Sequence, residues 1–86
     1  MSTSTPIRVL HVDDEPEFGD MVAEFLERED AQLDVTSVTS AAAGIERLDG
    51  AQFDCVVSDY DMPDQNGLQF FESVRDSHPD LPFILF

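Results

Sequence analysis

The sequence predicts an α/β fold with a doubly wound parallel sheet. Short apolar runs, typical of buried strands, alternate along the 86 residues with segments whose apolar side chains recur at helical spacing. Two of the apolar runs end in aspartate and are followed within a few residues by proline. Alternating strands and helices favour crossover connections and helices on both faces of the sheet. The length allows at most one small domain.

The first predicted strand is Ile7 to Val12, a mostly apolar run. A helix is expected after it, because Pro16 suits the first helical turn, where its missing N–H leaves no bond unmade. We expect this helix to end near Arg28 or Glu29. Its apolar residues recur at the spacing of one helical face: Phe18, Met21, Val22, Phe25 and Leu26.

A short second strand is predicted at Val35 to Val38. Ser40 is a suitable N-cap for the second helix, which is expected to run from Ala41 to Leu48. Asp49 and Gly50 are expected to end this helix, since both residue types favour turns.

The third strand is predicted at Phe53 to Ser58, and Asp59 follows it directly. A turn from Met62 to Gly67 follows it. The next helix, marked by Leu68, Phe71 and Val74, is expected to stop before His78-Pro79, because the residue before proline disfavours helical geometry. The fourth strand is predicted from Leu81 to Phe86. Residues 1–6 are predicted to be a flexible tail, which leaves residues 7–86 for the domain.

Acidic residues greatly outnumber basic ones. The chain has 19 Asp and Glu against 4 arginines, no lysine, and a net charge of −15. Nucleic-acid phosphates and anionic membranes would repel it, so neither is an expected partner. The acids are scattered along the whole chain, which indicates adaptation to a salt-rich cytoplasm rather than an acidic interaction tail. We expect a cytoplasmic protein, because no membrane-length apolar stretch or signal peptide is present.

The aspartates at the strand ends form the candidate site. In a parallel sheet the carboxyl ends of the strands meet at one edge, so Asp13, Asp14 and Asp59 are expected in one pocket. Three carboxylates so close together repel one another unless a hard cation lies among them or protons are retained. The sequence therefore predicts a Mg²⁺-type site that contains a nucleophilic aspartate.

Simpler interpretations exist for each residue of interest. An aspartate after a strand often caps a turn, although the neighbouring acidic pair makes this interpretation of Asp59 less favourable. His11 is expected to be a packed residue, and Glu15 is expected to serve the turn. Cys55, the single cysteine, is expected to behave as a small hydrophobe. Gly67 is expected to meet a backbone requirement at the turn.

The chain resembles the receiver domain of two-component response regulators. The resemblance rests on Val9 to Pro16 with its paired aspartates, on Val56-Val57-Ser58-Asp59-Tyr60-Asp61-Met62-Pro63, and on Gly67. It covers essentially the whole chain in order and spacing. It implies a flavodoxin-like sheet with strand order 2-1-3-4.

The resemblance also implies a role for each motif residue. Asp59 matches the phosphoacceptor, and Asp13 and Asp14 match the acidic pair that holds Mg²⁺ directly or through water. The metal site would also include Asp59 and the backbone carbonyl of Asp61. Pro63 and Gly67 match turn positions. The phosphodonor would be a phosphohistidine on a sensor histidine kinase, and the domain would be a signalling module that catalyses at most its own phosphorylation and dephosphorylation.

The chain departs from the family pattern at its C-terminal end. Receiver domains place a Ser or Thr after strand four and a Lys after strand five, whereas this chain stops at Phe86 and contains no lysine. We therefore expect the N-terminal part of a longer receiver, without the fifth strand and the last helices. A fused or separate output domain is expected in addition. A homodimer through the open strand edge near Phe83 and Ile84 is a further expectation.

Two alternative functions belong to other classes. A degenerate receiver would keep the fold and serve only as a docking module. A haloacid-dehalogenase-type phosphohydrolase would use Asp59 as nucleophile and Asp61 as general acid-base. Such enzymes carry this Asp-x-Asp motif on their first strand and need a downstream lysine, and this chain matches neither condition.

Overall fold

The computed structural model describes residues 6–62 and 66–85. In these ranges parallel strands alternate with helices. The strands are β1 (Ile7–Val12), β2 (Leu33–Val38), β3 (Cys55–Ser58) and β4 (Phe83–Leu85), and the helices are α1 (Pro16–Glu29), α2 (Ala41–Gly50) and α3 (Gly67–Ser77). The strand order is β2-β1-β3-β4. The predicted parallel sheet and its 2-1-3-4 order are confirmed.

Three of the four strands begin at other residues than predicted. β2 begins two residues early, at Leu33, because its exposed Asp34 interrupts the apolar pattern without interrupting the ladder to β1. β3 begins at Cys55 rather than Phe53, where its register with β1 starts. β4 begins at Phe83 rather than Leu81, because the Leu81 N–H donates to the His78 carbonyl in the preceding turn.

The helices agree more closely with the sequence. Pro16 is the first residue of α1, and the Ser40 side chain accepts a hydrogen bond from the Ala43 N–H at 3.1 Å as the N-cap of α2. α2 continues two residues beyond the predicted end, to Gly50. The predicted flexible tail lies outside the described residues apart from Pro6, and Pro63 and Phe86 also lie outside them.

The main core lies between the sheet and the helices α2 and α3. Phe70 at its centre is fully buried and packs edge-on against Phe83, with ring centroids 5.4 Å apart. The buried apolar residues of this cluster are Leu10, Val12, Val38, Ala41, Leu48, Val56, Met62, Phe70 and Val74. Since the strand residues alternate in direction, the other face of β1 and β2 is left for α1.

The apolar face predicted for α1 is wider than the side that the sheet covers. The residues packed toward β2 and β1 are spaced i, i+3, i+4 and i+7: Gly19, Val22, Ala23 and Leu26. Three other apolar residues of the helix are exposed by 38%, 59% and 56%: Phe18, Met21 and Phe25. The five residues do share the predicted helical spacing, but the sheet covers only Val22 and Leu26 and leaves the other three exposed.

The guanidinium of Arg75 joins the end of α3 to the start of β4. Its Nη1 lies 2.8 Å from the Leu81 carbonyl oxygen, 2.9 Å from that of Pro79 and 3.2 Å from that of His78. Its Cζ lies 4.9 Å from the centre of the Phe71 ring. One side chain thus fixes the turn that delivers β4 to the sheet.

Replacement of Arg75 by lysine is expected to lower the free energy of unfolding by about 1 to 2 kcal/mol, because an ammonium is more strongly hydrated and loses the contact of the planar guanidinium with the Phe71 ring. Urea denaturation measures this loss. Arg28→Lys is the control, since Arg28 is largely exposed and pairs with Glu24 on its own helix. A change below about 0.5 kcal/mol is expected there. Equal losses in both variants would contradict the role given to Arg75.

The surface charge predicts that salt stabilises the fold. Four arginines cannot neutralise 19 acidic side chains, so like-charge repulsion destabilises the compact state. We expect the thermal unfolding temperature to rise as KCl is raised from about 0.1 M to about 1 M, where the Debye length falls from about 10 Å to about 3 Å. A control with Glu46, Glu72 and Asp76 changed to their amides should show a weaker dependence. A flat or falling unfolding temperature for the natural chain would refute this prediction.

Candidate metal centre

The site lies where β1 and β3 end side by side. Val12 and Ser58 are register partners, and the Asp59 N–H donates to the Val12 carbonyl oxygen at 2.9 Å. On the other side of β1, the Asp13 N–H donates to the Val38 carbonyl oxygen at 3.1 Å. The sheet bonding therefore extends one residue beyond the strands, so these backbone bonds fix the Cα positions of both aspartates.

Three carboxylates converge at this edge. One oxygen from each of Asp13, Asp14 and Asp59 lies within 4.8 Å of the others. Asp13 is 5% exposed and Asp59 is half-buried, while Asp14 lies on the solvent side of the cluster. The cluster therefore has one side in the protein and one side open to solvent.

Two aspartates are held by the backbone two residues further on. The Glu15 N–H donates to Asp13 Oδ1 at 3.0 Å, and the Asp61 N–H donates to Asp59 Oδ1 at 3.3 Å. Both contacts are turns of the Asx type, in which a side chain bonds its own following backbone. Each bond occupies one lone pair of one oxygen, so both carboxylates keep acceptor capacity for a further partner.

The donor set suits a hard cation. Carboxylate oxygens are the ligands that Mg²⁺ prefers, and a cation among them would relieve their mutual repulsion. Asp61 has an exposed side chain outside the cluster, and its role as a carbonyl ligand stays a prediction. The predicted turn residue Pro63 lies outside the described residues.

Gly67 allows the chain to pass close behind Asp59. Its N–H donates to the Tyr60 carbonyl oxygen at 2.7 Å. A Cβ at this position would overlap the Leu85 side chain and lie 2.6 Å from the Asp59 carbonyl oxygen. The described glycines have no positive φ, so close approach rather than an unusual backbone conformation requires glycine here.

A capping box that the sequence analysis missed starts α3. The Asn66 side chain accepts from the Gln69 N–H at 2.9 Å, and the Gln69 side chain accepts from the Asn66 N–H at 3.3 Å. An Asn followed three residues later by Gln was the available signal. The box fixes the start of the helix that Gly67 brings against the site.

His11 is a packed residue, as the sequence predicted. It is 1% exposed, its Nδ1 lies 3.4 Å from Ser37 Oγ, and its ring centroid lies 6.5 Å from that of Phe18. Burial lowers the pKa of His11, and the nearby Asp13 and Asp59 carboxylates oppose that shift. On β3, burial and the neighbouring Asp54 carboxylate raise the pKa of the Cys55 thiol, which disfavours a reactive thiolate.

An open groove borders the acidic cluster. It has a volume of about 620 Å³ and combines acidic and apolar residues of the β1–α1 loop and the start of α1: Asp14, Glu15, Pro16, Glu17, Phe18 and Met21. The groove is open to solvent on the side of the cluster where Asp14 lies. It also contains Phe18 and Met21, two of the three apolar side chains of α1 that the sheet does not cover.

The site differs from that of the phosphohydrolase alternative. Asp59 and Asp61 follow β3, after two complete strand and helix pairs, whereas the hydrolase motif belongs to the first strand. None of the helices in residues 6–62 and 66–85 is long and apolar enough to cross a membrane.

Comparison with known proteins gives a family match over most of the chain. Residues 9–86 match the response regulator receiver domain. The chain is 32% identical over 82 residues to the bacterioopsin transcriptional activator of Halobacterium salinarum, and 34% identical over 80 residues to the probable transcriptional regulatory protein TcrX of Mycobacterium tuberculosis. These matches cover 95% and 93% of this chain but 12% and 33% of the relatives, so the chain spans a third or less of either relative.

Solved structures share the fold. A response regulator receiver protein from Pseudomonas putida superimposes with a TM-score of 0.87 at 21% identity, over 98% of this chain and 69% of that one. The response regulator TrrA of Thermotoga maritima, in complex with Mg²⁺-BeF, gives 0.83 at 27% identity, over 91% and 66%. The complex of the histidine kinase ThkA with TrrA gives 0.82 at 27% identity, over 91% and 66%.

Proposed function

The chain belongs to the response regulator receiver domain family, and we propose that it accepts a phosphoryl group on Asp59 from a histidine kinase in a Mg²⁺-dependent reaction. The observation that carries the proposal is the convergence of Asp13, Asp14 and Asp59 at the carboxyl edge of the sheet. A single strand-end aspartate would not support it. The proposal is supported by three carboxylates with oxygens within 4.8 Å of one another, of which Asp59 is half-buried at the end of the central strand β3.

The proposed step is a phosphoryl transfer from nitrogen to oxygen. A carboxylate oxygen of Asp59 attacks phosphorus, the P–N bond of the phosphohistidine breaks, and the electron pair remains on the imidazole nitrogen, which takes up a proton. Because the Asp61 N–H holds Oδ1, the carboxylate of Asp59 is oriented before the donor arrives. The groove at the start of α1 gives the donor protein access to the cluster.

Asp13, Asp14 and Asp59 would hold Mg²⁺, together with the backbone carbonyl of Asp61. When bound, the cation supplies positive charge for the equatorial oxygens of the transferred group. Asp13 is almost fully buried and is fixed by Glu15, so it is the preorganised member of the set. The phosphorylated state adds nearly two negative charges to an acidic pocket, so it is expected to depend on the cation.

The proposed partners follow from the same chemistry. TrrA, which is similar to this chain, forms a complex with the histidine kinase ThkA, and we propose a kinase of that class as the phosphodonor. Two relatives are transcriptional regulators, which supports a fused or separate output domain that reads the phosphorylated state. We propose that the domain acts in the cytoplasm, where ATP supports phosphohistidine formation. Beyond its own phosphorylation and dephosphorylation, the domain is proposed to have no enzymatic activity.

Replacement of Asp14 by asparagine is expected to weaken Mg²⁺ binding by about tenfold or more, because a charged ligand becomes neutral. The titration can be followed by the fluorescence of Tyr60, which lies next to Asp59 in the sequence. Tyr60 is the only tyrosine of the chain, and the chain has no tryptophan. Asp49→Asn is the control, because this exposed carboxylate lies at the far end of α2. Unchanged affinity in Asp14→Asn would exclude Asp14 from the metal site.

A further inference from the structure

A closed series of polar contacts joins the Asp13 carboxylate to α1 and β2. The Glu15 N–H donates to Asp13 Oδ1 at 3.0 Å, and the Gly19 N–H donates to the Glu15 carbonyl oxygen at 3.0 Å. The Ser37 hydroxyl donates to the Gly19 carbonyl oxygen at 3.0 Å. The Nδ1 of His11 lies 3.4 Å from Ser37 Oγ. His11 is two residues before Asp13 in the sequence, so the backbone between them closes the series.

The direction of these bonds is fixed by the number of protons available. A serine hydroxyl has one proton, and Ser37 gives it to the Gly19 carbonyl. Its contact with His11 therefore requires Nδ1 to carry a proton and to donate to Ser37 Oγ. His11 and Ser37 are register partners across β1 and β2, so the sheet itself holds the two side chains together.

Gly19 lets α1 lie directly on this pair. A Cβ at position 19 would lie 3.4 Å from both Cβ and Oγ of Ser37 and 3.6 Å from His11 Nδ1. These are ordinary van der Waals distances, so the backbone of α1 at Gly19 lies close to both side chains of the pair.

We propose that Ser37, supported by His11, is a positioning residue for the metal site. Its hydrogen bond fixes the first turns of α1 on β2, and α1 in turn holds the Glu15 N–H on Asp13. The orientation of the Asp13 carboxylate thus depends on a hydroxyl on a different strand. The inference rests on the proposed function insofar as Asp13 is a Mg²⁺ ligand, and it extends that function to residues outside the acidic cluster.

The test compares two serines with the same type of bond. Ser37→Ala removes the hydroxyl, Ser37→Thr restores it, and Ser73→Ala is the control. Ser73 donates to the Gln69 carbonyl oxygen of α3 at 3.1 Å, away from the site. The readouts are the Glu15 amide resonance in the metal-free chain, its hydrogen exchange, and the Mg²⁺ affinity from Tyr60 fluorescence.

Ser37→Ala is expected to shift the Glu15 amide resonance, to speed its exchange, and to weaken Mg²⁺ binding by about threefold to tenfold. Ser37→Thr should restore all three, and Ser73→Ala should change none. Nitrogen NMR of the natural chain should show the His11 tautomer that carries its proton on Nδ1. A neutral His11 side chain with its proton on Nε2 would remove His11 from the series.

An unchanged Glu15 amide and unchanged Mg²⁺ affinity in Ser37→Ala would overturn the inference, even if the variant is less stable. The metal-free amide measurement separates this inference from the proposed function. If the natural chain binds no Mg²⁺, the proposed function fails, whereas the Glu15 amide still decides whether Ser37 positions the turn that holds Asp13.

Discussion

Replacement of Asp59 by asparagine is expected to abolish phosphoryl labelling of the chain. The amide removes the charged nucleophile and one member of the carboxylate cluster, while Asn keeps an oxygen that can accept from the Asp61 N–H. The fold should therefore persist. Phosphoramidate, whose P–N bond resembles that of phosphohistidine, serves as the donor in the presence of Mg²⁺. Beryllofluoride binding followed by fluorine NMR gives a second readout that needs no covalent step.

Asp61→Asn is the matched control for this experiment. Asp61 is two residues away, and its exposed side chain lies outside the cluster, so only its backbone is assigned to the site. This variant is expected to keep labelling and beryllofluoride binding. Labelling that persists in Asp59→Asn would show that the phosphoacceptor is another residue.

Replacement of Gly67 by alanine is expected to destabilise the domain by about 3 kcal/mol or more. The added Cβ would overlap the Leu85 side chain and lie 2.6 Å from the Asp59 carbonyl oxygen and 2.8 Å from Tyr60 Cα. Two of these neighbours are backbone atoms, which cannot move away as a flexible side chain can. Urea denaturation gives the loss in free energy of unfolding. Because the strain acts on the Asp59 loop, Mg²⁺ affinity should fall as well.

Gly50→Ala is the control for that prediction. A Cβ at Gly50 would meet no atom within 4 Å, and Gly50 is the last residue of α2. Alanine is the better helix former, so a neutral effect or a gain of up to about 1 kcal/mol is expected. If Gly67→Ala proved as harmless as Gly50→Ala, the close approach of α3 to the Asp59 loop would be wrong.

The strand order and the position of the acidic cluster could be predicted because both depend on short sequence signals. Apolar runs that end in aspartate give the strands and the edge where they meet, and parallel pairing brings Asp13 and Asp59 together. The strand starts were less predictable. The Leu81 N–H donates to the His78 carbonyl oxygen, and the Leu81 carbonyl oxygen accepts from Arg75. Neither group is therefore left for a strand.

The sequence was least informative about α1 and the contacts beneath it. Periodicity placed Phe18, Met21 and Phe25 with Val22 and Leu26, but it cannot tell which part of a wide apolar arc the sheet covers. That choice depends on where Gly19 meets Ser37 in three dimensions. The series from Ser37 to Asp13 joins residues on β1, β2 and α1, so no local pattern could indicate it.

The most direct test of the central claim is to identify the residue that carries the phosphoryl group after reaction of the natural chain with phosphoramidate. We expect an acyl phosphate on the peptide that contains Asp59, formed in the presence of Mg²⁺ and not formed when the metal is chelated before the donor is added. A folded chain that takes up no phosphoryl group, or takes it up on another residue, would contradict the proposed function. The first of these results would favour a receiver fold that serves only as a docking module.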